Sequence, residues 1–273
     1  TPIASAGLVR ITLPLTDTGN VGFSGFTITN PGLTSGSRYH VFAKSLASAS
    51  TITVFDNTIL GVNLSDYGLY SDSTRGNVVI HHNVFSNNAF NPILIELPRG
   101  STDVHHNTIS GNGSTAYFNM TYSAIDVTAL QRVADNIITG SVSAIVFNAS
   151  PSFVSASSRY GKYTNVAIIG NTITNLGSGT TGIALSNDTL DITGAAGAIE
   201  NPTVTGNKIT GTGAATSNGI RLRGLVTNAN ISGNDVRNLA RGFFGVVPSV
   251  PVTATHSATG SEVHFNHFVN NST

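Results

Sequence analysis

One short pattern recurs along the whole chain at intervals of about 30 residues and constrains the fold more than any other feature. Its clearest copy is VAIIGNTIT, residues 166–174. The spacings between successive copies run from 24 to 36 residues. An asparagine occupies the same place in eight of the nine copies, and Phe26 takes it in the first. The eight asparagines are Asn57, Asn83, Asn107, Asn136, Asn171, Asn207, Asn234 and Asn266.

Apolar residues flank this position at fixed distances. In every copy the residue three before it and the residue two after it are apolar, as with Ile168 and Ile173 around Asn171. Most of them are β-branched, which favours strands. A second short apolar motif, such as GIAL at residues 182–185, lies between successive asparagines. No segment keeps a helical period of 3.6, so the chain is predicted to be all-β.

Each repeat therefore holds about three short strands, which cannot bury an apolar face alone. Stacking the repeats solves this problem and pairs the strands of each repeat with those above and below. Asparagine tolerates a left-handed backbone, and stacked amides can hydrogen-bond to one another. The eight asparagines are therefore predicted to form a ladder along the stack.

This pattern resembles the generic repeat of the right-handed parallel β-helix (pectin-lyase-like) superfamily over residues 8–270. The resemblance implies a single-stranded right-handed parallel β-helix of about nine coils, with the ladder between the second and third strands. Residues 1–273 would form one domain, either complete or a fragment or stacking unit of a longer assembly. It also places insertions at 111–122, between third and first strands, and at 148–164, 186–202 and 246–261, between first and second strands.

The composition excludes several classes of function. The chain has 13 basic and 13 acidic residues, so its formal charge is zero and no nucleic-acid partner is expected. Cysteine is absent, which excludes disulfides, thiolate metal sites and cysteine nucleophiles. No run of 18 apolar residues is present, so no membrane span is predicted. A polar chain with few charges favours an extracellular or cell-surface location.

Two acids stand out on the predicted first-strand sheet, where sugar-cleaving members of the resembled superfamily keep their active sites. Counting outward positions places Glu96 and Asp126 side by side on adjacent coils, about 5 Å apart. Tyr70 and Arg99 lie near enough to join them, as do Asp72 and Tyr122. Such a pair suits a retaining glycosidase or a calcium site. The alternatives are two solvated acids, or a different register in which Ile93 rather than Ile95 is the central residue and Glu96 moves.

Histidines and acids also precede the ladder asparagines in four consecutive coils. Stacked imidazoles about 5 Å apart, with carboxylates at both ends, can share a divalent metal ion. Alternatively, they form a polar column with a purely structural role, and the sequence favours this alternative over the metal site. The residues concerned are Asp56, His81, His82, His105, His106 and Asp135.

Motifs of known enzymes are missing from the sequence, including those of pectate lyases, alginate epimerases and polygalacturonases in the resembled superfamily. No helix that could cap a solenoid end is apparent, so neighbouring copies or flanking repeats are expected to stack head to tail. Tyr160, Tyr163, Phe243 and Phe244 hint at sugar contacts, with a place in the core as the favoured alternative for Phe243. The leading hypothesis is an extracellular, non-enzymatic structural or adhesive module that contacts polysaccharide. The alternative is a polysaccharide hydrolase or lyase with no resident cofactor, acting through Glu96 and Asp126.

Overall fold

The structure, a computed structural model, describes residues 9–29, 38–61, 66–72, 74–88, 91–96, 98–111, 116–121, 127–140, 142–148, 162–186, 198–246 and 260–271. The described strands form three long parallel sheets and a short fourth one, and none of the described residues lies in a helix.

Each long sheet has nine described strands. The first sheet comprises Val9–Leu13, Arg38–Ser45, Asp66–Asp72, Ile93–Glu96, Ala116–Thr121, Ser143–Asn148, Thr181–Ser186, Asn218–Arg223 and Arg241–Val246. The second comprises Asn20–Ser24, Thr51–Phe55, Asn77–His81, Thr102–His105, Gln131–Ala134, Val166–Ile169, Thr203–Thr205, Asn230–Ser232 and Glu262–His264. The third comprises Thr27–Thr29, Thr58–Leu60, Val84–Ser86, Thr108–Ser110, Ile137–Thr139, Thr172–Leu176, Lys208–Gly211, Asp235–Arg237 and His267–Val269.

The chain visits the three long sheets in turn, so each strand pairs with its equivalents one coil earlier and one coil later. Val104, for example, pairs with Ile80 in the preceding coil and with Val133 in the following one. All of these pairings are parallel. The prediction of an all-β parallel β-helix with nine coils is confirmed.

The apolar columns predicted from the repeat line the core, except in the last coil, where Val263 and Phe268 are exposed. Ile168 and Ile173, on either side of Asn171, are both fully buried, and so are their equivalents Ile80 and Phe85. Burying a side chain of this size is worth roughly 1.5–3 kcal/mol. The core is therefore a stack of equivalent layers, each of which is closed by its two neighbours.

The ladder is also confirmed at all eight predicted asparagines. In each step, the backbone N–H and the side-chain Nδ2 of one asparagine donate to Oδ1 of the next. From Asn136 to Asn171 both distances are 3.0 Å. The Nδ2 group also donates to a carbonyl one coil earlier, as from Asn171 to Val133 at 2.9 Å. In the first coil Phe26 accepts no such bond on its side chain, but its N–H donates to Asn57 Oδ1 at 3.1 Å.

The left-handed backbone predicted for the asparagines belongs instead to the residue just before each of them. His82, for example, has φ 55° and Gly170 has φ 65°. Glycine adopts this region freely, and aspartate and histidine adopt it more readily than most residues, which accounts for the residue types found there except the phenylalanine of the last coil. The nine residues are Gly25, Asp56, His82, His106, Asp135, Gly170, Gly206, Gly233 and Phe265.

One coil departs from the predicted layout. The repeat pattern assigns the first strand of the fifth coil to a short apolar motif at 124–127, of which residues 124–126 lie outside the described residues. The strand that the first sheet contains at this place is Ala116–Thr121, so most of the predicted insertion at 111–122 is not an insertion. Phe118 and Met120 fill the core there with no exposed surface, whereas Val127 makes an isolated bridge to Tyr163.

A short fourth sheet follows the first sheet and precedes the second in the chain order of three coils. Its strands are Lys162–Tyr163, Ala198–Glu200 and Val226–Thr227. Two of its strands lie in the predicted insertions at 148–164 and 186–202, whereas Val226–Thr227 lies where no insertion was predicted. They stack in parallel from coil to coil like the strands of the long sheets.

Candidate functional site

The register of the first sheet changes the predicted acid pair. Ile93 pairs with Leu69 and with Phe118, which makes Ile93 the central core residue of its strand. Glu96 is consequently aligned with Asp72 in the preceding coil and with Thr121 in the following one. The alternative register is therefore the correct one, and the placement of Glu96 in the column of Tyr70 is wrong.

Four aromatic side chains gather on the outside of the first sheet near its N-terminal coils. The rings of Tyr39 and Tyr70 stack with centroids 4.2 Å apart, and Tyr39 and Tyr67 are 5.2 Å apart. Phe42 lies 5.6 Å from Tyr70, and the guanidinium of Arg10 sits 5.3 Å from the centre of the Phe42 ring. All four rings are partly exposed. We call Tyr39, Phe42, Tyr67 and Tyr70 the aromatic face.

The acidic pair Asp72 and Glu96 borders this aromatic face. Tyr70 donates its hydroxyl hydrogen to Glu96 Oε2 at 2.6 Å. Lys44 Nζ lies 3.2 Å from Asp72 Oδ2. Because the two acids occupy paired positions on adjacent strands, their backbones are about 4.8 Å apart. Rings and carboxylates thus form one continuous surface across three coils.

The surroundings raise the pKa values of three side chains in this surface, Tyr39, Tyr70 and Glu96. Burial, together with the neighbouring Tyr67, Glu96 and Asp72, raises the pKa of Tyr39 to about 12. Burial and the hydrogen bond to Glu96 raise the pKa of Tyr70 still further. Burial also raises the pKa of Glu96, with a smaller contribution from Asp72, although the Tyr70 hydroxyl opposes it. Both phenols therefore remain hydrogen-bond donors at neutral pH.

The remaining predicted members of the acid site lie elsewhere. Asp126 and Tyr122 fall outside the described residues, and no neighbour relation of Asp126 to Glu96 is described. Arg99 lies in the turn after the Glu96 strand, where its backbone N–H donates to Thr74 O at 2.9 Å and its side chain is exposed. Of the proposed four catalytic residues, the structure brings Tyr70 and Glu96 into direct contact.

The aromatic residues singled out as sugar contacts are not the ones that form the aromatic face. Tyr163 is completely buried and Phe243 packs against the core, so neither can stack on a sugar. Tyr160 lies outside the described residues. Phe244 is half-buried at the far end of the first sheet, with the Arg241 guanidinium 4.1 Å from its ring centre.

The histidines gather at two successive ladder turns, as predicted. The rings of His81 and His105 stack with centroids 5.0 Å apart, and those of His82 and His106 stack at 5.2 Å. Within each turn the two Nδ1 atoms are in hydrogen-bond contact, at 2.8 Å in the first pair and 2.9 Å in the second. We call these four residues the histidine cluster.

Burial lowers the pKa of both His81 and His105, with a further lowering from neighbouring histidines. Asp56 and Asp135 occupy the same turn position in the coils on either side of the cluster. Throughout the described part of the chain, no three His, Cys, Asp or Glu side chains are grouped so that they could hold one metal ion. The six predicted residues are therefore not arranged to bind one shared metal ion.

Glu96 should make stability depend on pH. Its pKa is higher in the folded chain than in the unfolded one, so the folded state holds the Glu96 proton more tightly. The stability that Glu96 gains from this proton is fully present below the pKa of the unfolded chain, about 4.5. It is lost as the pH rises through the higher pKa of Glu96 in the folded chain. Replacing Glu96 by Gln removes the buried charge, so the variant should melt higher than the wild type at pH 7 and equal to it near pH 4.

Calorimetric melting at the two pH values tests this expectation. Glu262→Gln is the control, since Glu262 is 77% exposed and should show no such pH-dependent gain. An equal difference between the Glu96 variant and the wild type at both pH values would contradict the proposed burial of the charge.

In comparisons with known proteins, no family model, curated protein or solved structure matches the chain. Within the described segments, no helix is long and apolar enough to cross a membrane.

Proposed function

We propose that this chain is an extracellular, non-enzymatic β-helix module that binds saccharide on the outside of its first sheet. It would serve as a structural or adhesive part of a surface, sheath or filament protein. The observation that carries this proposal is the aromatic face with the acidic pair along its border. A fold alone does not assign a function, so the argument depends on this surface.

The chemistry of the surface suits a sugar. Partly exposed aromatic rings offer flat apolar area to the C–H faces of a pyranose while their polar edges stay in water. The carboxylates of Asp72 and Glu96 accept hydrogen bonds from sugar hydroxyls, and Lys44 supplies a donor beside them. Three coils contribute to the surface, which is long enough to contact more than one sugar unit of a chain.

We also propose that the chain is a distant member of the right-handed parallel β-helix (pectin-lyase-like) superfamily. Each coil contributes one strand to each of three parallel sheets, and an asparagine ladder runs between the second and third sheets. Both features support this relation. The right hand follows from the general handedness of connections between parallel strands.

Head-to-tail stacking on neighbouring copies or flanking repeats belongs to the same proposal. Each ladder asparagine donates toward the following coil, as Asn234 does to Asn266 Oδ1 at 2.8 Å. The first coil carries Phe26 at this position, which offers no side-chain oxygen, so a joint between copies cannot continue the ladder. Apolar contact between the exposed Phe26 and the exposed Phe265 and Phe268 of the last coil would have to hold it instead.

A polysaccharide hydrolase or lyase is the second candidate. The raised pKa of Glu96 beside Asp72 favours it, because an acid that keeps its proton near a second carboxylate can protonate a leaving oxygen. In the structure, however, Glu96 is engaged by Tyr70 and Asp72 by Lys44. Both contacts suit a binding surface as well as a catalytic one.

Affinity electrophoresis against a panel of soluble polysaccharides, with product analysis on the same panel, tests both candidates. We expect the wild type to be retarded by at least one polysaccharide without cleaving any. The double variant Tyr39→Ala/Phe42→Ala should bind about tenfold more weakly, which corresponds to about 1.4 kcal/mol. Phe244→Ala, on the same sheet but remote from the aromatic face, is the matched control and should bind as the wild type does.

The outcomes separate the two candidates. Cleavage by the wild type that Glu96→Gln abolishes would replace the binding module with an enzyme. Binding unaffected by the aromatic double variant would remove the proposed surface, and absence of binding to the entire panel would reject saccharide recognition.

A further inference from the structure

The histidine cluster presents two pairs of imidazole nitrogens on the outside of the coil. His81 and His82 form one pair, and His105 and His106 form the other one coil later. His82 and His106 are exposed and the other two are partly exposed, so solvent ions can reach the cluster. The saccharide surface proposed above uses none of these residues.

Each pair is held in place by the ladder behind it. Asn83 Nδ2 donates to the carbonyl oxygen of His81 at 2.9 Å, and Asn107 Nδ2 donates to that of His105 at 3.1 Å. His82 occupies the left-handed turn position, with its Cα fixed between a strand end and a buried asparagine. The turn is therefore ordered before any ligand binds, which lowers the entropic cost of binding.

Ring stacking restricts the imidazoles further. His81 lies between the ring of Phe55 at 5.2 Å and that of His105 at 5.0 Å. Within each turn the two rings are nearly perpendicular, at 89° in both pairs. The same geometry thus occurs twice, in register, on consecutive coils.

The separation of the two nitrogens in a pair matches the bite of a transition-metal ion. With metal–nitrogen bonds of about 2.0 Å at right angles, two neighbouring ligands lie about 2.8 Å apart. The Nδ1 atoms are 2.8 Å apart in the first pair and 2.9 Å in the second. One of each pair must carry a proton, since two bare nitrogens would repel at this distance. Moving that proton to Nε2 frees both Nδ1 atoms. Each lone pair must then turn from the N–N line by about 45° to point at one ion, which requires the stacked rings to rotate on binding.

The charges around the cluster also suit a cation. Asp56 and Asp135 flank it at the equivalent turn position of the neighbouring coils. The cation on the following coil, Arg132, is engaged by Asp103 at 2.9 Å and by Asp135 at 3.6 Å. Its charge is thereby largely offset.

We propose that each histidine pair chelates a divalent transition-metal ion through its two Nδ1 atoms, with water in the remaining positions and Cu²⁺ preferred. Two protein nitrogens per ion are enough for this mode, so no group of three ligands is needed. Imidazole suits copper, nickel and zinc, and Cu²⁺ binds most tightly in the general order of divalent ions. Because the two pairs are only one coil apart, repulsion between two ions makes the second bind more weakly than the first.

Titration of the full chain with Cu²⁺ against a competing chelator, followed by electron paramagnetic resonance, tests the proposal. We expect a tetragonal Cu²⁺ signal coupled to two imidazole nitrogens at one equivalent of metal. The double variant His82→Asn/His106→Asn leaves one imidazole in each turn, and asparagine tolerates the left-handed backbone there. Its affinity for Cu²⁺ should fall by about tenfold or more.

His267→Asn is the matched control, because His267 is an exposed histidine of the last coil outside the cluster. It should leave the affinity and the spectrum unchanged. Equal affinity of the wild type and the double variant would overturn the proposal, and so would an equal loss in the His267 variant. Coupling of Cu²⁺ to fewer than two nitrogens in the wild type would also overturn the proposal. This measurement uses the wild type alone, so it does not depend on whether a variant folds.

Discussion

Replacing Asn171 by Leu should lower the free energy of unfolding by about 3 to 5 kcal/mol. Asn171 Oδ1 accepts from both the backbone and side-chain nitrogens of Asn136, each at 3.0 Å. Its own Nδ2 donates to the carbonyls of Val133 and Ile169, of which the first is buried, and to Asn207 Oδ1 at 3.0 Å. Leucine has a similar size but makes none of these bonds, so several buried polar groups lose their partners together.

Urea unfolding followed by far-ultraviolet circular dichroism measures this loss. Asn230→Leu provides the control, since Asn230 lies exposed on the outside of the second sheet and its replacement should change stability by less than about 0.5 kcal/mol. Should both variants unfold at the same urea concentration, the ladder would contribute nothing specific to stability.

Replacing Gly100 by Ala should destabilise the fold by about 3 kcal/mol or more. A Cβ atom at this position would lie 2.1 Å from the carbonyl oxygen of Gly76 and 2.8 Å from that of Arg75. Both obstacles are backbone atoms of the preceding coil, so no side chain can turn aside to make room. The coils would have to separate locally, which breaks the pairing that holds them together.

Gly245→Ala is the corresponding control. A Cβ atom there would meet only a ring carbon of Phe243 at 3.9 Å, an ordinary contact. Thermal melting should show this variant equal to the wild type or slightly more stable, because alanine restricts the unfolded chain. Tolerance of Gly100→Ala at the wild-type melting temperature would mean that the close approach between the coils is wrong.

The stack of coils could be predicted because one residue type repeats at one place with apolar partners on both sides. Asn171 between Ile168 and Ile173 gives the second strand, the turn and the third strand of its coil. This information is local to each repeat and needs no knowledge of distant contacts. The assignment of the left-handed backbone to the asparagine was wrong by one residue, although the glycines at 170, 206 and 233 already indicated the correct position.

The register of the first sheet was harder to predict because its strands lack such a marker. Ile93 and Ile95 both have the apolar character of a central residue, and both are buried. Only the alignment with Leu69 in the neighbouring coil distinguishes them. The same ambiguity favoured the motif near Ala124 over the strand that contains Phe118, because a sequence pattern does not measure how well a side chain fills a layer.

The aromatic face was only partly visible in the sequence. Phe42 and Tyr70 pair with each other and directly follow the core residues Val41 and Leu69, so strand alternation places both on the outside. Tyr39 and Tyr67 precede the core residues Val41 and Leu69 by two residues, an offset that strand alternation assigns to the core side, so the sequence pattern did not identify them. The histidine pairs were predicted to stack, but the contact between Nδ1 atoms depends on ring rotations that no spacing determines.

The parallel pairing of coils has a mechanical consequence for the stack. Hydrogen bonds between parallel strands run across the strands and therefore along the axis of the coil. A tensile force on that axis pulls directly on these bonds, and each layer transmits the full load to the next. The hydrogen bonds between coils are therefore expected to be the first interactions to break when the stack is pulled along its axis.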